Sequence, residues 1–127
     1  MSWMKRVKMI NRNNNDWYYI QTQGEHMKQY KQVKCRDGFK MSVQAGDGMY
    51  SMPRENFAEH YKEVEIGYPS AEESLILEYA ENPTAPMDTV YAYVPTEIAT
   101  LVIAKHGGMV SGEVPPGVVA LPANTDN

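Results

Sequence analysis

Apolar and polar residues alternate from Thr89 to Val94, with Val90, Ala92 and Val94 on one side and Thr89, Tyr91 and Tyr93 on the other. That is the period of a pleated strand. Pro95 lacks an amide donor and ends the pairing, Thr96 is placed to cap a helix, and Glu97 adds negative charge to its first turn. The spacing then changes: Ile98, Leu101 and Val102 fall at i, i+3 and i+4 and predict a helix from about 96 to 106 with those three side chains in the core. Lys105 and His106 occupy its last turn, and Gly107 supplies a left-handed exit.

Elsewhere the pattern predicts shorter elements. MSWMKRVKMI alternates loosely, NRNNND reads as a turn and WYYIQTQ as a returning strand, so the first 32 residues predict a basic hairpin. Around Arg36-Asp37-Gly38 a three-residue loop with Gly38 in the left-handed region sets Cys35 opposite Phe39 and Val33 opposite Met41. A two-residue loop would mix polar and apolar residues on one face, so the three-residue register is preferred. MYSMPRENFAEHYKE, broken by Gly48 and Pro53, reads as a loop, and Val64 to Ile66 as a short strand. Ser70 with Glu73 three residues on resembles a capping box and predicts a second helix over 70–81, ended by Asn82 and Pro83. The Pro- and Gly-rich stretch 109–127 predicts no regular structure.

These elements define an α+β class: a small, mainly antiparallel sheet with one principal helix, in a single domain over 1–108 followed by a tail. At 127 residues the chain has room for one modest core. No apolar run reaches the roughly 18 residues of a membrane span, and the first residues lack the apolar core of a signal peptide. The reading is a soluble, cytoplasmic protein. Cys35 is the only cysteine, which excludes an internal disulfide and thiolate-rich zinc sites.

Charge alters the picture more than composition does. Residues 1–40 hold nine Lys/Arg and three acids, a balance of +6, whereas 41–127 hold three Lys/Arg and thirteen acids, a balance of -10. Such segregation fits a binding face, a head-to-tail contact in a homo-oligomer, or two halves that neutralise each other in the fold.

The chemistry on offer is sparse. His26, His60 and His106 lie far apart with no HxxxH or HExxH spacing, and there is no P-loop, GxGxxG or GxSxG, so neither a metal nor a cofactor is expected and the chain reads as non-enzymatic. Three surfaces remain. Glu55, Glu59, Glu72 and Glu73 belong to the acidic half and are candidates for protein contact, or simply a solvated face. Tyr50, Arg54, Asn56, His60 and Tyr61 gather in one loop, where an isolated Arg among aromatics can clamp a phosphate or carboxylate; the plainer alternative pairs Arg54 with Glu55 or Glu59. Lys5, Arg6, Lys8 and Arg12, interleaved with Trp17 and its aromatic neighbours, form the mixture that single-strand nucleic-acid binders use, against an acidic chain overall.

The run CRDGFKMSVQAG, with PREN, VEIGYPS, DTVYAYVP and KHGG after it, resembles a set of short uncharacterised bacteriophage-encoded proteins over roughly residues 33 to 110. The resemblance implies a viral origin and a place in the host cytoplasm. Small phage proteins of this kind often bind and disable a host defence factor, so it also implies an inhibitor acting on a host protein by direct contact. No catalytic or cofactor residue comes with it. A nucleotide-like small molecule held at the Tyr50–Arg54 loop, and single-stranded nucleic acid on the basic hairpin, are the alternatives.

Overall fold

The computed structural model describes residues 29–123 in full and the backbone of 4–8 and 17–21. Near the N-terminus β1 (Met4–Lys8) and β2 (Trp17–Gln21) pair antiparallel, from Met4 opposite Gln21 to Lys8 opposite Trp17. The NRNNND turn expected between them lies outside the described residues.

A second sheet forms the body of the protein. Its strands are β3 (Val33–Cys35), β4 (Lys40–Gln44), β5 (Glu63–Gly67), β6 (Val90–Pro95) and β7 (Met109–Ser111), in the antiparallel order β6-β5-β4-β3-β7. The β3–β4 hairpin adopts the expected three-residue loop: Val33 stands opposite Met41, Gly38 has φ +98°, and Cys35 N–H donates to Phe39 O at 2.8 Å. Val33, Cys35, Phe39 and Met41 accordingly share one buried face.

On β6 the expected alternation fails. Val94 pairs with Val64 and Tyr91 with Ile66, so Ala92 and Tyr93 together stand against Glu65 in a bulge. The extra residue turns both Tyr91 and Val94 into the core, where neither is exposed.

Helix α1 (Thr96–Lys105) starts directly after β6. With no linker, the junction fixes its rotation. Thr96, Ala99, Val102 and Ile103 are buried, Ile98 is half-buried and Leu101 is 51% exposed, which corrects the expected core face of Ile98, Leu101 and Val102. Nor does Thr96 cap. Pro95 occupies the cap position without a side-chain bond, and Thr96 N–H donates to Lys62 O. The C-terminus ends as expected in a left-handed Gly107, and Gly108 N–H closes back on Ile103 O at 2.9 Å.

The second helix is not formed. Over 70–81 only a 3-10 turn, Leu77–Tyr79, appears. Ser70 exchanges bonds with Lys40 instead of capping, accepting its N–H at Oγ and donating to its carbonyl, while Glu73 turns inward to partners at the end of α1. Tertiary hydrogen bonds outweigh the local helical preference here.

The C-terminal stretch also departs from expectation. Met109–Ser111 adds an edge strand beside β3, and Gly112, at φ +112°, brings the chain so close to Gln32 that a side chain there would collide with its carbonyl. The chain then returns to bury Val118 and to bond Tyr61 N–H through Pro116 O.

Candidate functional site

Val64 and Ile66 point into the core, which leaves Glu65 on the opposite face of β5. The loop after β4 crosses that face. Tyr50 N–H donates to Glu65 Oε1 at 2.9 Å, and the bulged Tyr93 donates its own N–H to Tyr50 O at 3.1 Å. The two rings lie 5.8 Å apart, tilted by 49°, and the Arg54 guanidinium sits 5.4 Å from the centre of the Tyr50 ring. This places a cation on an aromatic pair, with a carboxylate at its base. Burial pushes the Glu65 carboxyl above its usual range, opposed by the Tyr50 N–H; nearby Glu81 adds to the rise and Arg54 works against it.

Tyr93 occupies this position at φ +54°, in the left-handed region that bulky residues avoid. Among the described residues the other non-glycine positions with positive φ are Phe57 and Tyr68. All three are aromatic, and all three are exposed. At Tyr93 the strained backbone belongs to the bulge that turns Tyr91 and Val94 inward, and it leaves Tyr93 itself on the outer face beside Tyr50.

The five ligand candidates of this loop separate in the fold. Tyr50 and Arg54 meet. Asn56 Oδ1 accepts the Asp47 N–H at 2.9 Å and braces the turn at Gly46. Tyr61 is fully buried, its hydroxyl donating to Glu55 O at 2.6 Å. His60 points elsewhere, into an open groove of about 860 Å³ between α1 and the C-terminal stretch, beside Lys62, Thr100, Leu101 and Val119. Of the acidic candidates, Glu55, Glu59 and Glu72 are exposed, whereas Glu73 is 1% exposed and is removed from any contact surface. Lys5, Arg6 and Lys8 lie on β1 and Trp17 on β2; Arg12 lies outside the described residues.

Glu73 belongs to a network that joins three distant segments. Its Oε2 accepts from Lys105 Nζ at 2.8 Å and from Leu75 N–H at 2.9 Å, and its Oε1 lies 2.6 Å from His106 Nε2. The other ring nitrogen, Nδ1, lies 2.6 Å from Asp37 Oδ2, and the Phe39 ring stacks on the imidazole at 4.0 Å. Burial acts to raise the Glu73 carboxyl, but Lys105, the Leu75 amide and His106 outweigh it and hold it below its usual range. Asp37 is lowered as well, first by the Phe39 N–H and then by His106. With both ring nitrogens engaged, His106 has no free position for a metal or for a nucleophile's proton. No sequence signal links residues 37, 73 and 106, whereas Tyr50 and Arg54 were legible from proximity alone.

Cys35, in the wall of the core, has its thiol pushed up to about 11 by burial, with a smaller contribution from Asp37. Among the described residues no group of three or more His, Cys, Asp or Glu is arranged to hold a metal ion, and no helix is long and apolar enough to cross a membrane. Comparison with protein-family models, curated proteins and solved structures gives no match.

Proposed function

We propose that this is a non-catalytic binding protein that acts by direct contact with a partner protein, with Tyr50, Arg54 and Tyr93 at the centre of the contact. Exposed Glu55 and Glu59, close by in sequence, are assigned to its acidic rim. The observation that carries the reading is Tyr93: an exposed ring on a left-handed backbone, raised on a bulge against Tyr50 and Arg54. Tyr and Arg are enriched among the few residues that carry most of the binding energy at protein interfaces. Carboxylates at a rim contribute to association rate and partner choice more than to affinity. Taken with the resemblance to phage proteins, the partner we infer is a host defence protein and the action inhibition in the host cytoplasm; the segregated charge supports self-association as a further mode of contact.

The test is affinity capture from bacterial host lysate with nuclease present, using the wild-type chain beside a Tyr50→Ala/Arg54→Ala/Tyr93→Ala variant. A single protein captured by the wild type and lost from the variant supports the reading, provided the variant melts within a few degrees of wild type. Capture that survives this variant but fails with Glu55→Lys/Glu59→Lys moves the centre of contact to the acids. Material that disappears with nuclease points to the basic β1–β2 pair.

A further inference from the structure

His106 closes helix α1 with a carboxylate on each side: Asp37 Oδ2 is 2.6 Å from Nδ1 and Glu73 Oε1 is 2.6 Å from Nε2. A neutral imidazole carries one N–H, so both contacts are hydrogen bonds only while the ring is doubly protonated. We propose that His106 is a proton-operated clasp, whose cationic ring ties the β3–β4 turn to the segment around Glu73 and whose loss of one proton releases the turn while Glu73 stays held.

The direction of release follows from unequal burial. The Asp37 side chain is 52% exposed and that of Glu73 is 1% exposed. A carboxylate left facing a ring lone pair needs another donor. Asp37 reaches water by rotating outward, while Glu73 has no water to reach and would be left partly unpaired in the interior. The remaining ring proton therefore belongs on Nε2, toward Glu73, and Asp37 lets go.

Each element around the ring fits this asymmetry. Lys105, from the end of α1, stays on Glu73 Oε2 and keeps that carboxylate charged throughout the change. Arg36, from the turn, packs its stem on Gly107, at the exit of α1. Phe39 stacks on the imidazole with planes only 10° apart and keeps the ring between the two carboxylates in either protonation state. A hollow of about 300 Å³, lined by Asp37, Gly38, Phe39, Ser70, Ala71 and His106, lies beside the contact and gives the freed turn space to move.

Nuclear magnetic resonance of the ring nitrogens, with amide exchange measured across about pH 5 to 9, tests the clasp. The Asp37 and Gly38 amides bond to His106 O and Cys35 O and report on the turn; the Leu75 amide bonds to Glu73 and reports on the other side. The expected result is an Nε2–H tautomer at high pH. Protection at Asp37 and Gly38 should fall about tenfold as the ring titrates, after correction for base catalysis, which corresponds to losing one charge-assisted hydrogen bond. Leu75 should stay within about twofold on the same scale. Asp37→Asn, at an exposed turn, should fold and show no step at Gly38. An Nδ1–H tautomer, release at Leu75 first, a step that persists in Asp37→Asn, or a ring that does not titrate in this range would each overturn the proposal.

Discussion

Glu73 Oε2 lies 2.8 Å from Lys105 Nζ across a sequence separation of 32 residues, with the Glu73 side chain 1% exposed and that of Lys105 47% exposed. The inequality predicts unequal costs. Glu73→Gln keeps the shape but removes the charge that three donors address, and should cost about 1–3 kcal/mol in urea unfolding. Lys105→Met leaves Glu73 with the Leu75 amide and His106, and removes an ammonium that already reaches water, so its cost should be about 1 kcal/mol or less. Equal losses, or the reverse order, would show that the carboxylate is not the centre of this network.

Asp37 and Glu73 both have folded-state carboxyls held below the usual range. A lowered carboxyl contributes stability above its unfolded value, near pH 4, and loses it as pH falls through the folded value. Urea midpoints measured from pH 7 to about pH 2.5 should therefore drop on the acid side. In an Asp37→Asn/Glu73→Gln variant that acid limb should flatten while neutral-pH stability is lower. An acid limb unchanged in the variant would assign acid unfolding to other carboxylates.

Glu65 carries the opposite sign. Burial raises its carboxyl, so the folded state holds the proton more tightly than the unfolded chain, and the favourable contribution is lost as pH rises through the folded value. Glu65→Gln preserves an acceptor for the Tyr50 N–H without the half-buried charge. It should raise the melting temperature at pH 7 and change it little near pH 4. A lower melting temperature at pH 7 would mean that Arg54 compensates the charge fully.

The register of the β3–β4 hairpin was legible because loop length decides which face Val33 and Met41 occupy, and only one choice keeps that face apolar. Helix α1 was legible as an element, but its rotation depends on the direct junction at Pro95, which periodicity does not encode, so Leu101 was assigned inward and lies outside. Tyr91 was misplaced because a bulge is a property of the β5–β6 pair and leaves no mark in β6 alone. The segment 70–81 has good helical residues, yet the bonds that hold it come from Lys40, Lys105 and His106, distant in sequence. The candidate site divides the same way: Tyr50 and Arg54 are neighbours in one loop, whereas Glu65 and Tyr93 join them only through strand pairing.

Cys35 is 2% exposed, and its thiol is pushed up to about 11, so at neutral pH almost none of it is the reactive thiolate. Alkylation by iodoacetamide at pH 8 should be at least about a hundredfold slower in the folded protein than in urea, where a free thiol titrates near 8.5. Equal rates would require the sheet to open around β3 on the reaction timescale.

Tyr93 separates stability from contact. Deleting a large aromatic usually costs about 3–5 kcal/mol when the ring is buried. Here the residue is 37% exposed and its backbone sits at φ +54°, a conformation that costs a bulky residue roughly 1–2 kcal/mol and that Asn and Gly tolerate. In Tyr93→Asn, relief of strain should offset the lost contact with Tyr50, leaving stability within about 1 kcal/mol of wild type. The bulge itself should persist, because Val94 opposite Val64 and Tyr91 opposite Ile66 are held by the core on either side of it. Partner binding should nevertheless fall by about tenfold to a hundredfold if this ring anchors the interface. Tyr68→Asn serves as the comparison: it relieves the same kind of strain, at φ +49°, without entering the Tyr50–Arg54 cluster. Loss of binding in Tyr93→Asn with retention in Tyr68→Asn, at matched stability, supports a contact centred on the bulge, whereas equal binding by both variants and wild type places the contact elsewhere.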